Sequence, residues 1–236
     1  MNTITHNIVK STSSKFTHTK PISYKKPELK RKNISGKRHY VDETGFVYNS
    51  CTNVVGIINE KGLAEWREDI GEKGANIISG RAKSIGSKLH KNIEDLLNNK
   101  EPIFENLVAK AHYYNLMPFL NSINYIRGTE IRLCSKPLAL AGTTDCIADY
   151  DGELSIIDFK TSSKEKSEEY LLSYFLQLTA YSLMWEELTG QNINQIVVLI
   201  SAEDMSTQQF IKNPKDYKVK LLEVIKEFRY GPIGDN

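Results

Sequence analysis

Asp145, Asp158 and Lys160 stand in GTTDCIADYDGELSIIDFKTS, residues 142–162, where β-branched and apolar side chains would be expected. Asp145 comes before the Asp151–Gly152 pair, and Asp158 and Lys160 come after it. Asp-Gly between two alternating runs favours a two-residue type I′ hairpin, whose central residues both need positive φ. Such a turn pairs Tyr150 with Glu153, and an unbroken register then sets Asp145 opposite Asp158. Cross-strand partners share a face with Cβ atoms roughly 4.5–5.5 Å apart, and Lys160, two residues on, projects from the same face. Opposed carboxylates destabilise a sheet, and one ammonium offsets only part of the repulsion. A hard divalent cation such as Mg²⁺ removes the conflict, because both carboxylates can share it with waters and substrate oxygens. The plainer alternative is a hairpin whose exposed polar face carries an ordinary ion pair. A bulge that shifted the register would favour that alternative.

The surrounding sequence predicts the elements that must hold this hairpin. Ile78, Ala82, Ile85, Leu89, Ile93 and Leu96 recur at helical spacing between Ala75 and Asn99. Before them, GLAEWREDIGEKG reads as a short helix closed by Gly71 and Gly74. A helix from about Phe104 to Tyr125 should kink or break at Pro118. TEIRLCSKP reads as a strand stopped by Pro137, followed by strands at Thr143–Tyr150 and Glu153–Lys160. A helix from Ser167 to Leu188, a buried strand INQIVVLIS, an edge strand TQQFIKN and a helix opened by Pro214 complete the chain. Upstream, RHYVDETGFVYNSCTNVVG suggests a hairpin around Glu43–Gly45 that runs into a helix. The order helix, three strands, helix, strand implies an α/β fold of the α+β kind, with a mixed sheet flanked by helices.

At 236 residues, 40% hydrophobic and 25% charged, the chain can build one good core. Its longest aliphatic run, Ile196 to Ile200, is far too short to span a bilayer, and no signal-peptide pattern is seen. The three cysteines, Cys51, Cys134 and Cys146, form no CxxC, so neither a zinc site nor a four-cysteine iron–sulfur cluster is supported. A reducing compartment is expected, the cytoplasm of a bacterium or of a phage-infected cell. Residues 1–40 hold ten Lys or Arg and one acid, leaving 21 basic and 28 acidic residues in 41–236. Residues 1–36 therefore read as a basic, disordered arm, and 37–236 as a single domain. The arm could help hold a polyanion by counterion release, or be a solvated tail. Its acid-poor, Ser/Thr-bearing composition leaves a mitochondrial matrix address open, although it is Lys-rich and lacks an apolar helical face before Pro21.

Asp145…Asp158-Phe159-Lys160 resembles the motif of the PD-(D/E)xK nucleases, and the element order is that superfamily's core. GSKLHKNIEDLL resembles the Gly-x-x-x-His-x-x-x-Glu helix of the RecB-like exonuclease branch, which places His90 before the core. Glu130 stands where that branch often has an acid on its first strand, AGTTD introduces the first aspartate, and Gln177 and Tyr181 match its Gln-x-x-x-Tyr helix. YNSCTNVV, Trp66 and the hairpin look most like the mitochondrial genome maintenance exonucleases and their phage and bacterial relatives. The long basic arm is a departure from that pattern.

The resemblance implies a restriction-endonuclease-like αβββαβ core at about 126–236, with extra N-terminal helices at about 60–125 forming an arch or cap. It further implies a metal-dependent DNA exonuclease without an iron–sulfur cluster, acting in replication, repair or recombination, with single-stranded DNA as its partner. Mg²⁺, for which Mn²⁺ would substitute, would be held by Asp145, Asp158, His90 and Glu130. Lys160 would position the attacking water, Gln177 would position Lys160 or a phosphate, and Tyr181 would contact the nucleic acid. On the residues alone the alternatives stay open. His90 can equally be read as a packed or capping residue beside Glu94, Glu130 as the ion-pair partner of Arg132, and Gln177 as a surface residue. A duplex exonuclease, a flap endonuclease and a non-catalytic module that binds nucleic-acid ends remain alternatives for the whole.

Overall fold

A computed structural model of the chain describes residues 16–20 and 24–231. Its elements run β1 (Lys30–Ile34), β2 (Lys37–Val41), β3 (Val47–Ser50), α1 (Cys51–Gly56), α2 (Glu60–Ile70), α3 (Glu72–Leu97) and α4 (Leu107–Leu120). There follow β4 (Ile123–Ser135), β5 (Leu140–Tyr150), β6 (Glu153–Ser162), α5 (Leu172–Thr189), β7 (Gln195–Ala202), β8 (Thr207–Lys212) and α6 (Lys218–Tyr230). The expected order of helix, three strands, helix and strand is present from α3 to β7. The fold is a mixed α/β architecture, consistent with the nuclease fold that the resemblance implied. None of the described helices is long and apolar enough to cross a membrane.

The eight strands form one forked sheet. β4 pairs with β5 along almost its whole length, apart from a bulge between Asn124 and Gly128. On the other edge of β5, β3 pairs in parallel at Leu140 and Ala141, and β6 pairs antiparallel from Cys146 to Tyr150. The edge between them, Gly142 to Asp145, has no strand partner in either ladder. β6 continues past it in parallel with β7 as far as Ser162↔Ala202. Tyr150↔Glu153 is paired as the Asp-Gly turn predicted, with Asp151 at φ +50 and Gly152 at φ +86. The opposition of Asp145 and Asp158 is not kept as a ladder pair, however. β6 stays with buried β7 and leaves β5 after Ile157.

Helices cover both faces. Leu89, Ile93 and Leu97 of α3 and Leu116 and Leu120 of α4 pack on Cys146, Ala148, Ile157 and Phe159. α1, α5 and α6 pack on Ile147, Ile156, Val198 and Ile200. With both faces covered, β7 is apolar from Ile196 to Ile200, as the buried run predicted. Gly190, left-handed at φ +73, ends α5 by donating its N–H to Glu186 O. The helix expected from about Phe104 to Tyr125 is shorter, Leu107–Leu120, and Pro118 sits in its last turn. The chain from Ile123 is already strand. Ile78, expected in the apolar stripe of α3, is 48% exposed, because α3 is exposed from residue 76 to 84, between buried Ala75 and Ile85, and packs on the sheet only from Ile85 onward.

The stretch expected as a basic arm is laid against the body wherever it is described. The bulge in β4 frees the backbone of Ile126, which accepts from Thr19 N and donates to Thr17 O. Asn99 holds Phe16 through both its backbone groups, and Phe16 packs against the α3–α4 core. Leu29 is buried, and residues 30–34 form a hairpin with β2. Composition alone missed this because docking rests on a few apolar anchors, Phe16, Tyr24 and Leu29, spaced among lysines. Residues 1–15 and 21–23 lie outside the described residues. Tyr24 stacks 5.5 Å from Trp185 and donates to Arg132 O at 3.0 Å. Tyr24→Ala is expected to cost about 1–3 kcal/mol in urea unfolding; an unchanged midpoint would show that this contact does not hold the segment.

Candidate active site

Asp145 lies at the unpaired edge of β5, with an acid on each neighbouring strand. Thr129↔Cys146 and Ile131↔Thr144 place Glu130 of β4 directly across from it. Glu130 has φ +50, left-handed for a non-glycine residue inside a strand, and its side chain is exposed. On the other side, a continued hairpin register would have brought the Phe159 amide to Thr144. That amide instead donates to Asp145 Oδ2 at 3.0 Å, which sets the carboxylate in the gap of the sheet. His90 reaches the same oxygen from α3, its Nδ1 at 3.3 Å.

His90, Glu130 and Asp145 each offer one ligand atom, and all three atoms lie within 4.8 Å of one another. Two atoms bonded to one cation at about 2.0–2.4 Å can be at most about 4.8 Å apart, so the group fits a divalent ion. The donor set of two carboxylates and one imidazole suits a hard to borderline metal. His90 and Glu130 also border, with Glu94, Lys91 and Gly86, an open pocket of about 440 Å³. A larger pocket of about 580 Å³ lies by Lys26, Asp42 and Arg132, away from this chemistry.

Asp158 and Lys160 face the α5 layer. Asp158 is buried and its Oδ2 forms an ion pair with the Lys160 ammonium; it lies outside the group of three clustered ligands. Lys160 also sits over the ring of Tyr174, 5.1 Å from its centroid. Gln177 donates to the Tyr181 hydroxyl at 3.2 Å, and Tyr181 is buried. Gln177 therefore supports Tyr181, and its side-chain hydrogen bond goes there rather than to Lys160. The predicted site residues thus converge from β4, β5, β6, α3 and α5. Arg132 donates to Leu29 O, and Ser162 bonds Lys164 O in a loop. Glu94 pairs with Lys91.

Electrostatics separate the two aspartates. Burial would raise Asp145, but His90, Lys160 and the Phe159 amide outweigh it and hold the carboxyl down to about 2. Burial pushes Asp158 up to about 6, with Lys160 pulling down and Asp145 pushing up. Burial favours neutral His90, yet the Asp145 charge prevails and raises it to about 9. Burial would lower Lys160, but Asp158 and Asp145 hold its ammonium above the ordinary value. Glu130, though exposed, loses part of its hydration in this crowded cluster, and that and the Asp145 charge raise it. A metal takes neutral imidazole, so an ion here displaces the His90 proton.

One contributor went unassigned from sequence. A Cβ on Gly142 would stand 2.5 Å from the Tyr181 hydroxyl oxygen and 2.7 Å from its Cε1. The glycine in AGTTD is thus the seat of Tyr181, a signal visible only once α5 is known to cross that edge.

A family model described as the PD-(D/E)XK nuclease superfamily matches residues 63–229. Mitochondrial genome maintenance exonuclease 1 of Homo sapiens is 29% identical over 129 residues, 50% of this chain and 37% of the human protein. The protein of the same name from Xenopus tropicalis is 29% identical over 131 residues, 50% of this chain and 36% of its own length. An ATP-dependent helicase/nuclease component from Clostridium botulinum is 29% identical over 85 residues, 35% of this chain and 7% of its own length. The chain thus spans little more than a third, or less, of the length of these curated relatives. A solved Eubacterium rectale structure carrying an exonuclease assignment covers 69% of this chain and 81% of its own, at TM-score 0.40 and 11% identity.

Gly142→Ala is expected to destabilise the protein by about 1–3 kcal/mol through overpacking against Tyr181. In a Tyr181→Ala background the same substitution should cost almost nothing, and a double-mutant cycle by urea unfolding reads the coupling. Additive costs would refute the seating.

Proposed function

Because the chain belongs to the PD-(D/E)XK nuclease superfamily, we propose that it is a metal-dependent exonuclease hydrolysing phosphodiester bonds of single-stranded DNA from a free end. The observation that carries this reading is the gathering of Asp145, Glu130 and His90 around one point, with Lys160 held beside it by Asp158. A divalent ion, Mg²⁺ with Mn²⁺ as substitute, would supply charge neutralisation at the scissile phosphate and acidify the attacking water.

The chain's own residues do the rest. Asp145, kept ionised by His90 and the Phe159 amide, His90 and Glu130 would hold the ion. Asp158 anchors Lys160, and the Tyr174 ring bounds the ammonium from the α5 side. That leaves a fixed cation to orient water and to stabilise negative charge as it develops on the phosphate. Tyr181, buried and braced by Gln177 over Gly142, would back the open edge of β5 from the α5 side rather than touch the strand itself. The projecting α2 and first half of α3 expose Leu63, Ile70, Ile77 and Ile78, which supports an arch that admits a threaded strand. Three free cysteines support a reducing cytoplasmic setting.

End-labelled linear single-stranded DNA should be degraded with Mg²⁺ and left intact with EDTA. Lys160→Ala should lower kcat by about 10²–10³-fold. Asp145→Asn should abolish both cleavage and the rise in melting temperature produced by the divalent ion. Efficient cutting of covalently closed single-stranded circles would overturn the free-end requirement, and metal-independent binding without cleavage would overturn catalysis.

A further inference from the structure

The β1–β2 hairpin, which lies outside the residues that match the superfamily, carries Lys30, Arg31, Lys32, Lys37 and Arg38 and no acid. Among the described residues none of the five pairs with a carboxylate. Lysines on an outer strand can serve only to discourage pairing with another sheet. That role would leave them dispersed. Here Arg31, Lys32 and Arg38 converge with Asn33 and the α1 residue Asn53 on one pocket of about 420 Å³. Arg31, Asn33 and Arg38 share one face of the hairpin, since Asn33 pairs with Arg38 and Arg31 lies two residues away, and with Lys32 bordering the same pocket they offer a cradle for anionic oxygens.

The register places this cradle relative to the gap. Lys32 pairs with His39, His39 with Asn49 and Asn49 with Leu140, so these four residues form one row across the sheet. Three strand spacings of ~4.8 Å and five residues of ~3.4 Å separate Lys32 from Asp145, roughly 20 Å on the diagonal. At ~3.4 Å per nucleotide along a strand that is about six nucleotides, and fewer if the strand is extended. β3 and β6 share one edge of β5, so the hairpin and the Lys160 strand flank opposite ends of the same opening. The acids at and beside the opening, Asp145, Asp158 and Glu130, outnumber His90 and Lys160, so the opening by itself gives a polyanion little net attraction.

From this placement we infer that the β1–β2 hairpin is an anchor for the sugar-phosphate backbone, gripping the nucleic-acid strand several nucleotides from the bond that is cut. The inference rests on the nuclease reading for its substrate. Its contacts are to phosphates, so the anchor is indifferent to base sequence.

The test is the salt dependence of KM and of equilibrium binding on a thirty-nucleotide single strand, for wild type and the triple variant Arg31→Gln, Lys32→Gln, Arg38→Gln. Loss of three phosphate contacts should reduce the slope of log affinity against log salt by about 2. KM near physiological salt should rise about 10-fold or more, with kcat at saturation unchanged. The charge-keeping variant Arg31→Lys, Lys32→Arg, Arg38→Lys should retain the wild-type slope, which separates lost charge from lost folding. A wild-type enzyme that cuts while the triple variant keeps slope and KM would overturn the anchor and leave the nuclease standing. A wild type that binds without cutting, with the slope still falling in the triple variant, would overturn catalysis and leave the anchor standing.

Discussion

The hydrogen bond from the Phe159 amide to Asp145 Oδ2 stands where a strand-to-strand bond would otherwise close the sheet. In an unbroken hairpin that amide would be spent on the backbone of β5, and Asp145 would project from one face only. Because β6 follows β7 instead, the β5 edge opens over Gly142–Asp145 and a carboxylate takes over the amide. An unmade backbone bond in a buried sheet is costly, so the open edge persists only because a charged acceptor satisfies the donor. The site exists because the sheet forks.

Both helical layers are then drawn to one point. α3 covers one face with Leu89 and Ile93, and His90 between them reaches Asp145 from that side. α5 covers the other face and fills the open edge with Tyr181, for which only a glycine at 142 leaves room. Asp158 and Lys160 replace what would be apolar residues opposite Val198 and Ile200, and their mutual pairing makes that burial tolerable. Burying an ion pair is weak support for stability at best. A cluster of three acids with one lysine and one histidine is therefore a cost that a cation and an anionic substrate can relieve.

Much of this was legible in the sequence, and the failures are specific. The Asp151–Gly152 turn gave the correct hairpin register, the apolar run 196–200 gave a buried strand, and Gly190 gave the end of α5. Extrapolating that register to Asp158 failed because alternation in one hairpin carries no information about a competing partner, here β7. The acids were identified and, through the family resemblance, His90 and Glu130 were grouped with Asp145, but the strand pairing behind that grouping was not legible. Glu130 turned out to be the residue opposite Asp145, since β4 is the strand that stays paired there. In the N-terminal stretch, residues 16–20 and 24–34 dock on the body, which composition could not show because it averages over anchors. Tyr24 on Trp185 and the backbone of Ile126 outweigh the surrounding lysines.

By itself the sequence determined which side chains carry charge and which periods make strand or helix, because both follow from residue type and local spacing. It also determined the turn at Asp151–Gly152, since positive φ is a local demand. Only the tertiary structure decided that β5 would have one open edge, that Asp145 would gather with His90 and Glu130 while Asp158 pairs with Lys160, and that a basic hairpin would stand at one end of the opening. Those outcomes depend on which strands compete for a shared edge, and that competition is settled between segments far apart in the chain.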